Sequence, residues 1–214
     1  MQVKVKIEGQ AFYSASLLIP SRLPTIPSAM PGICSLHLSP SFVLSSGTVT
    51  LDVNRRKVLL IRCCNSSETL LPKGRKNKGE TLDAAALRET YEETGYRATL
   101  LPLAMATLAT SEQSTDRRAA SDGDDGLSPH TEAVAVTQRS SHRAHKIIFW
   151  FAATAESLAM PDADTQQEGE NFQASWVSFE ESQEKLTFDD DKAVAQYVID
   201  AVASAHRHST LPTI

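Results

Sequence analysis

The sequence is short of several things, and each shortage removes a class of protein. Three cysteines occur in 214 residues, Cys34, Cys63 and Cys64. No two are spaced as a CxxC pair, which argues against a zinc site. Cys63 and Cys64 are adjacent, and neighbours in a strand point to opposite faces rather than at each other. Free thiols in a reducing compartment are therefore expected. No apolar run is long enough to cross a bilayer. Aromatic residues make up only 6% of the chain, with no evident pair of rings to clamp two bases. An excess of positive charge is also missing. The formal net charge is −5, so nothing draws the whole chain to nucleic acid or to an anionic membrane, and no stable nucleic-acid complex is expected. An anionic partner must be held by local basic clusters.

What remains is enough for a globular protein. Hydrophobic residues make up 41% and charged residues 22%, which suits one domain with extensions. Pro20, Pro24, Pro27, Pro31 and Pro40 crowd the beginning. That density forbids helix, so residues 1–40 read as an irregular leader. Residues 15–19, after Lys4 and Lys6, loosely resemble a signal peptide, but the apolar stretch is brief and lacks a small-x-small cleavage site. The expectation is a cytoplasmic protein, with the nucleus and secretion as alternatives.

Organised sequence begins near Phe42, and the domain is expected over 41–206, followed by a tail at 207–214. Residues 42–52 are rich in Val, Thr and Leu and read as a strand, with Gly47 marking a bulge. Residues 57–64 read as a buried strand that closes a hairpin with it. Residues 70–79 form a loop, and 81–94 a helix with Thr81 at its N-cap, Asp83 in its first turn and Gly95 as its left-handed stop. A strand region follows at 97–107. Residues 111–129, rich in Ser, Asp, Gly and Arg, read as a mobile surface insertion. Residues 146–154 are the most apolar short run and should be a central strand. A polar loop at 159–169, a short strand at 174–179 and helices at 178–186 and 189–205 complete the chain. Strands and helices alternate, which predicts a mixed sheet covered by helices on both faces.

One segment carries chemistry: GRKNKGETLDAAALRETYEETGY, residues 74–96. Glu89, Glu92 and Glu93 are spaced i, i+3, i+4 and share one helix face. They fall near the negative end of the helix dipole, where anions repel it and each other. Such spacing usually means a solvated acidic face, but solvated faces intersperse lysines. Ala84, Ala85 and Ala86 keep the preceding turn slim. Clustered carboxylates without Cys or His suit a hard cation, Mg²⁺ or Mn²⁺.

The same segment resembles the signature of the Nudix family: Gly, five residues, Glu, seven residues, then Arg-Glu-U-x-Glu-Glu-x-Gly-U, with U bulky and apolar. Gly74, Glu80, Arg88, Glu89, Glu92, Glu93 and Gly95 fill the seven fixed positions. At roughly 5–8% per residue type, that match arises by chance on the order of 10⁻⁸ times per window. Thr90 and Tyr96 stand at the U positions, a mild departure that bears on packing. The resemblance implies an α/β/α sandwich with a mixed β-sheet and a metal-dependent diphosphohydrolase. It implies metal ligation by Glu89, Glu92, Glu93 and the carbonyl of Gly74. Glu89 would also orient or deprotonate water, Arg88 would orient the carboxylates, and Glu80 would steady the loop. The chemistry would be in-line attack of water on phosphorus. A further acid often lies outside the box; Glu170 and Glu168 are the expected choices, Glu132 a weaker one.

The substrate must be read from other residues. Lys73, Arg75, Lys76 and Lys78 crowd the start of the box, and Arg139, His142, Arg143, His145 and Lys146 lead into the apolar strand. Two basic clusters on an acidic chain point to a heavily phosphorylated small molecule. Residues 71–74 and 79–80, and the stretch 170–191, resemble Nudix enzymes acting on diphosphoinositol polyphosphates and dinucleoside polyphosphates, notably fungal ones. The scarcity of aromatics tilts the expectation toward the inositol side. The alternatives are a nucleotide-pool or mRNA-cap hydrolase, and a non-catalytic Nudix-fold binding module, against which the retained glutamates speak. The oligomeric state is left open.

Overall fold

The computed structural model describes residues 36–109, 128–140 and 144–209, with side chains to 205. The expected leader falls mostly outside these, as do all of the expected insertion except residues 128–129, Arg143, and the end of the tail. The described residues from His37 onward belong to one compact unit.

After a 3₁₀ turn at Ser39–Ser41, the chain forms β1 (Phe42–Asp52), β2 (Lys57–Cys63), β3 (Thr69–Leu70) and β4 (Lys73–Arg75). Next come α1 (Leu82–Thr94), β5 (Thr99–Leu100), β6 (Leu103–Ala104) and β7 (Pro129–His130). Then follow β8 (Ala135–Ser140), β9 (His145–Thr154), β10 (Phe172–Ser178), α2 (Phe179–Lys185) and α3 (Asp189–Ser209). The main sheet runs β10-β2-β1-β9-β5, with β3 on β2, β4 on β1 and β8 on β9; β6 and β7 pair separately. β1 and β9 are parallel over nearly their whole lengths, from Phe42 opposite His145 to Leu51 opposite Thr154. The other pairings are antiparallel, so the sheet is mixed.

Strand alternation divides the two faces. Val49 and Leu51 of β1, Val58 and Leu60 of β2, and Ile148, Trp150 and Ala152 of β9 form one apolar core with Val194, Ala195, Val198 and Val202 of α3. The opposite side of β1 is polar: Thr48 and Thr50 are fully buried there, and Thr48 meets Thr90 of α1. Helices therefore cover both faces, α1 on the polar side and α3 on the apolar side.

Several local expectations change. Residues 70–79 are not all loop, because β3 and β4 pair there with β2 and β1. Gly47 marks no bulge: its register with Lys73 and Trp150 is unbroken. It is glycine because a Cβ would strike the Pro72 carbonyl, the Lys73 side chain and the Trp150 ring. β8 lies outside the expected strands; its inward and outward residues alternate only weakly in polarity. Phe179 opens α2 rather than ending β10. Ser178 caps that helix with a full capping box, accepting from the Glu181 N–H while the Glu181 carboxylate accepts from the Ser178 N–H. α3 continues to Ser209, past the expected end at 205.

Candidate active site

β4 and α1 build the site together. Gly74 on β4 pairs with Ser46 of β1, and alternation turns it toward α1 while Lys73 and Arg75 face the other side. A Cβ on Gly74 would collide with the Glu89 carboxylate. The smallest residue thus stands where the strand backbone and a helix carboxylate must touch. At the far end of the helix, Gly95 has φ 75° and its N–H bonds to the Tyr91 carbonyl. This is the left-handed stop that favours glycine. Thr81 sits at the N-cap but caps no helix N–H. Its hydroxyl instead holds the Asp83 carboxyl below the usual range.

The buried stripe of α1 is unusual. It contains Ala85, Ala86, Glu89, Thr90, Glu93 and Thr94, so two carboxylates lie where apolar side chains normally do. Glu89 is 5% and Glu93 3% exposed, whereas Glu92 is half-buried at the shoulder. Burial, with the neighbouring Glu89 and Glu170 charges, pushes the Glu93 carboxyl up to about 8, against the pull of Lys73. Burial also raises Glu89, against Arg88 and with help from Glu92 and Glu170. Glu170, on the loop before β10, is thus near enough to act electrostatically on both buried acids. Glu168 and Glu132 are exposed.

Arg88 joins three carboxylates. Its Nε donates to Glu80 at 2.7 Å, and one terminal nitrogen donates to Glu89 and Glu92, each at 2.8 Å. Its other terminal nitrogen donates to the Arg75 carbonyl at 2.9 Å and to Glu80 at 3.0 Å. Glu80 also accepts from the Asn77 N–H at 2.8 Å, which closes the loop between β4 and α1. Hydrogen bonds from Arg88 hold the Glu80 carboxyl below its usual value in spite of burial. Glu93 accepts from the Lys73 N–H at 2.7 Å, linking helix to strand.

Among the described residues, no three Asp, Glu, His or Cys side chains already converge as a metal cage. The donor set nonetheless fits a hard divalent cation: it is all oxygen, and it holds two carboxylates largely out of water, where a cation would relieve them. The Glu89 carboxylate lies against the Gly74 backbone, where a Cβ would collide with it.

The basic residues divide in two. Lys73 and Arg75 of β4 and Lys146 of β9 lie on the sheet face opposite α1 by strand register. Lys146 is half-buried, and its amine is lowered to about 8 by burial, then by Lys73 and Arg139, with Glu93 opposing. Among the described residues, Lys73, Arg75, Lys78 and Lys146 form no ion pair within 4.0 Å. The Lys76 amine donates to the Asn77 carbonyl at 3.0 Å. Arg139, beside Lys146 in register, is engaged differently. It chelates Asp190 at 2.8–3.0 Å, donates to Asp191 at 2.8 Å and lies over the Phe188 ring. Asp190, Asp191 and Phe188 were not expected as its partners, and nothing local in the sequence signals a contact across fifty residues.

The family model of the NUDIX domain matches residues 43–197, so the chain belongs to the Nudix family. Two of the solved structures that share its fold illustrate the likeness. A NUDIX hydrolase from Nitrosomonas europaea aligns at 16% identity and TM-score 0.50, covering 74% of this chain and 88% of that one. An Ap4A hydrolase of C. elegans, crystallised as a binary complex, aligns at 15% identity and TM-score 0.53, covering 76% and 98%. At such identities the likeness establishes fold alone. Family membership makes the chain a Nudix hydrolase, a class that uses divalent metal ions and acts on small phosphorylated substrates.

Proposed function

We propose that this Nudix hydrolase cleaves a diphosphate linkage in a heavily phosphorylated small molecule, a diphosphoinositol polyphosphate or a dinucleoside polyphosphate, with Mg²⁺ or Mn²⁺. The observation that carries this reading is the group of cations, Lys73, Arg75 and Lys146, which form no ion pair among the described residues and gather around the strand whose backbone holds Glu93. Lys76 and Lys78 extend the positive edge into the loop, and Arg143 lies outside the described residues. A substrate with phosphates beyond the scissile pair would use them. Tyr96 and Trp176 pack edge to face on each other at 5.5 Å, which leaves them engaged rather than set out as a base clamp and favours the inositol side.

Glu89, Glu92 and Glu93 would hold the metal, with the Gly74 carbonyl and Glu170 alongside. When bound, the metal neutralises charge on the diphosphate and on the attacking oxygen. Glu89, raised by burial, takes the proton from the attacking water. Arg88 keeps the carboxylates of Glu80, Glu89 and Glu92 in fixed orientation. The basic side chains, turned to the other side of β4, would hold phosphates beyond the scissile pair and so anchor the substrate.

The test is a metal-dependent hydrolysis panel: diphosphoinositol pentakisphosphate, diadenosine polyphosphates, 8-oxo-dGTP, ADP-ribose and capped RNA. One of the first two should lead by about tenfold or more in kcat/KM. A lead by 8-oxo-dGTP or capped RNA would replace the substrate reading with a nucleotide-pool or cap hydrolase. In the same assay Glu92→Gln should lose about three orders of magnitude in turnover, which a few kcal/mol of lost charge stabilisation produces.

A further inference from the structure

The loop between β9 and β10 is fastened along the second half of α1. The Asp162 N–H donates to the Gly95 carbonyl at 2.9 Å, and the Asp162 carboxylate accepts from Tyr91 at 2.9 Å and Arg97 at 2.7 Å. The Thr165 hydroxyl donates to the Glu92 carbonyl at 2.9 Å. Gln166 and Phe172 close the base of the loop with a reciprocal pair of bonds at 2.8 and 2.9 Å. Between these fastenings stands Gln167, which makes three polar contacts. Its side-chain amide donates to Glu92 Oε2 at 3.1 Å. Its N–H donates to the Glu170 carboxylate at 3.1 Å, and its carbonyl accepts from the Glu170 N–H at 3.0 Å.

We propose that Gln167 is a positioning residue that couples the box carboxylate Glu92 to the acid outside the box, Glu170. This rests on the reading of Glu92 as a metal ligand. Arg88 and Gln167 both donate to the same oxygen of Glu92, Oε2. Two donors on one oxygen fix the plane of the carboxylate and leave the other oxygen as the free acceptor. A side chain with soft terminal torsions thereby presents one defined atom to a cation. The same residue holds Glu170 in a short turn, so the two acids keep a fixed spacing although they lie far apart in the chain. Glutamine fits this role because its amide donates without adding charge, whereas a lysine would cancel the carboxylate and a glutamate would repel it.

The experiment uses the full chain with Gln167→Met, which keeps the length and removes the donor, and Gln167→Glu, which replaces it with a repelling anion. Mn²⁺ binding is followed by electron paramagnetic resonance with the metal alone, and Mg²⁺ activation by steady-state kinetics. Gln167→Met should weaken Mn²⁺ binding and lower kcat by about tenfold, what losing one hydrogen bond to a charged group costs. The loss in Gln167→Glu should be larger. KM for substrate should stay within about twofold, and raised Mg²⁺ should restore part of kcat. A role confined to bracing the loop would lower Tm and leave the metal dependence unmoved, and that result would overturn the proposal. So would wild-type Mn²⁺ affinity and kcat in Gln167→Met. If the wild-type chain itself binds no Mn²⁺, the metal reading of Glu92 falls first and this inference with it.

Discussion

The hydroxyl of Thr90 lies 2.7 Å from that of Thr48, a buried polar contact that ties α1 to the central strand. Thr48 also reaches Thr50 at 2.7 Å, and Thr90 donates to the Ala86 carbonyl at 2.8 Å. The position that the family fills with an apolar residue is polar here because its partner on β1 is polar too. Thr48→Val should cost about 1–3 kcal/mol, since it strands the Thr50 hydroxyl. Thr90→Val should cost about 1 kcal/mol, because Thr48 keeps Thr50. The double variant should cost less than the sum by about 0.5 kcal/mol or more, read from urea midpoints at constant slope.

Gly74→Ala separates stability from activity. The atoms a new Cβ would strike belong to the end of the Glu89 side chain, which can swing aside. Thermal stability should therefore change little. Displacing that carboxylate by about 1 Å should lower kcat on the order of 100-fold. A variant with wild-type kcat would remove Glu89 from the reaction.

Lys146 supplies a pH dependence with a definite sign. Its amine is lowered from 10.5 to about 8, chiefly by burial and then by Lys73 and Arg139. On the proposed reading, the ammonium that would attract phosphate is present below about 8 and lost above it. KM for a heavily phosphorylated substrate should rise by about tenfold across that range. In Lys146→Arg, which stays charged, the rise should vanish. Folding carries the opposite sign. The unfolded amine takes its proton at 10.5 and the folded one only near 8, so this group's contribution to stability declines as pH falls between those values. Denaturation of wild type and Lys146→Met at pH 8 and 10.5 checks the second half.

Arg139 should prove more structural than its basic neighbours. Asp191 is 0% exposed, one of its oxygens has no hydrogen-bond partner, and its carboxyl is raised by burial against the pull of Arg139. Arg139→Ala would leave that acid buried without its ion-pair partner, at a cost of about 3–5 kcal/mol. Replacing Arg139 and Asp191 together with leucines should recover a good part of it, measured by chemical denaturation. A stable Arg139→Ala protein with only a raised KM would return Arg139 to the phosphate-binding group.

The sequence determined what local periodicity and spacing can encode. The box residues, the helix ending at Gly95, the long strands β1 and β9 and the two basic clusters are all readable, because each depends on neighbours a few residues apart. Tertiary structure decided which of these residues meet. It buried Glu89 and Glu93 and left Glu92 at the shoulder, because α1 presents one side to β1 and β4. It set Lys73 and Arg75 on the face away from Gly74, because a three-residue strand alternates. It took Arg139 to Asp190 and Asp191, and brought Gln167 and Glu170 to the box acids across some eighty residues of chain. Side-chain meetings across such distances are fixed by strand register and loop path, and no window of the sequence records those.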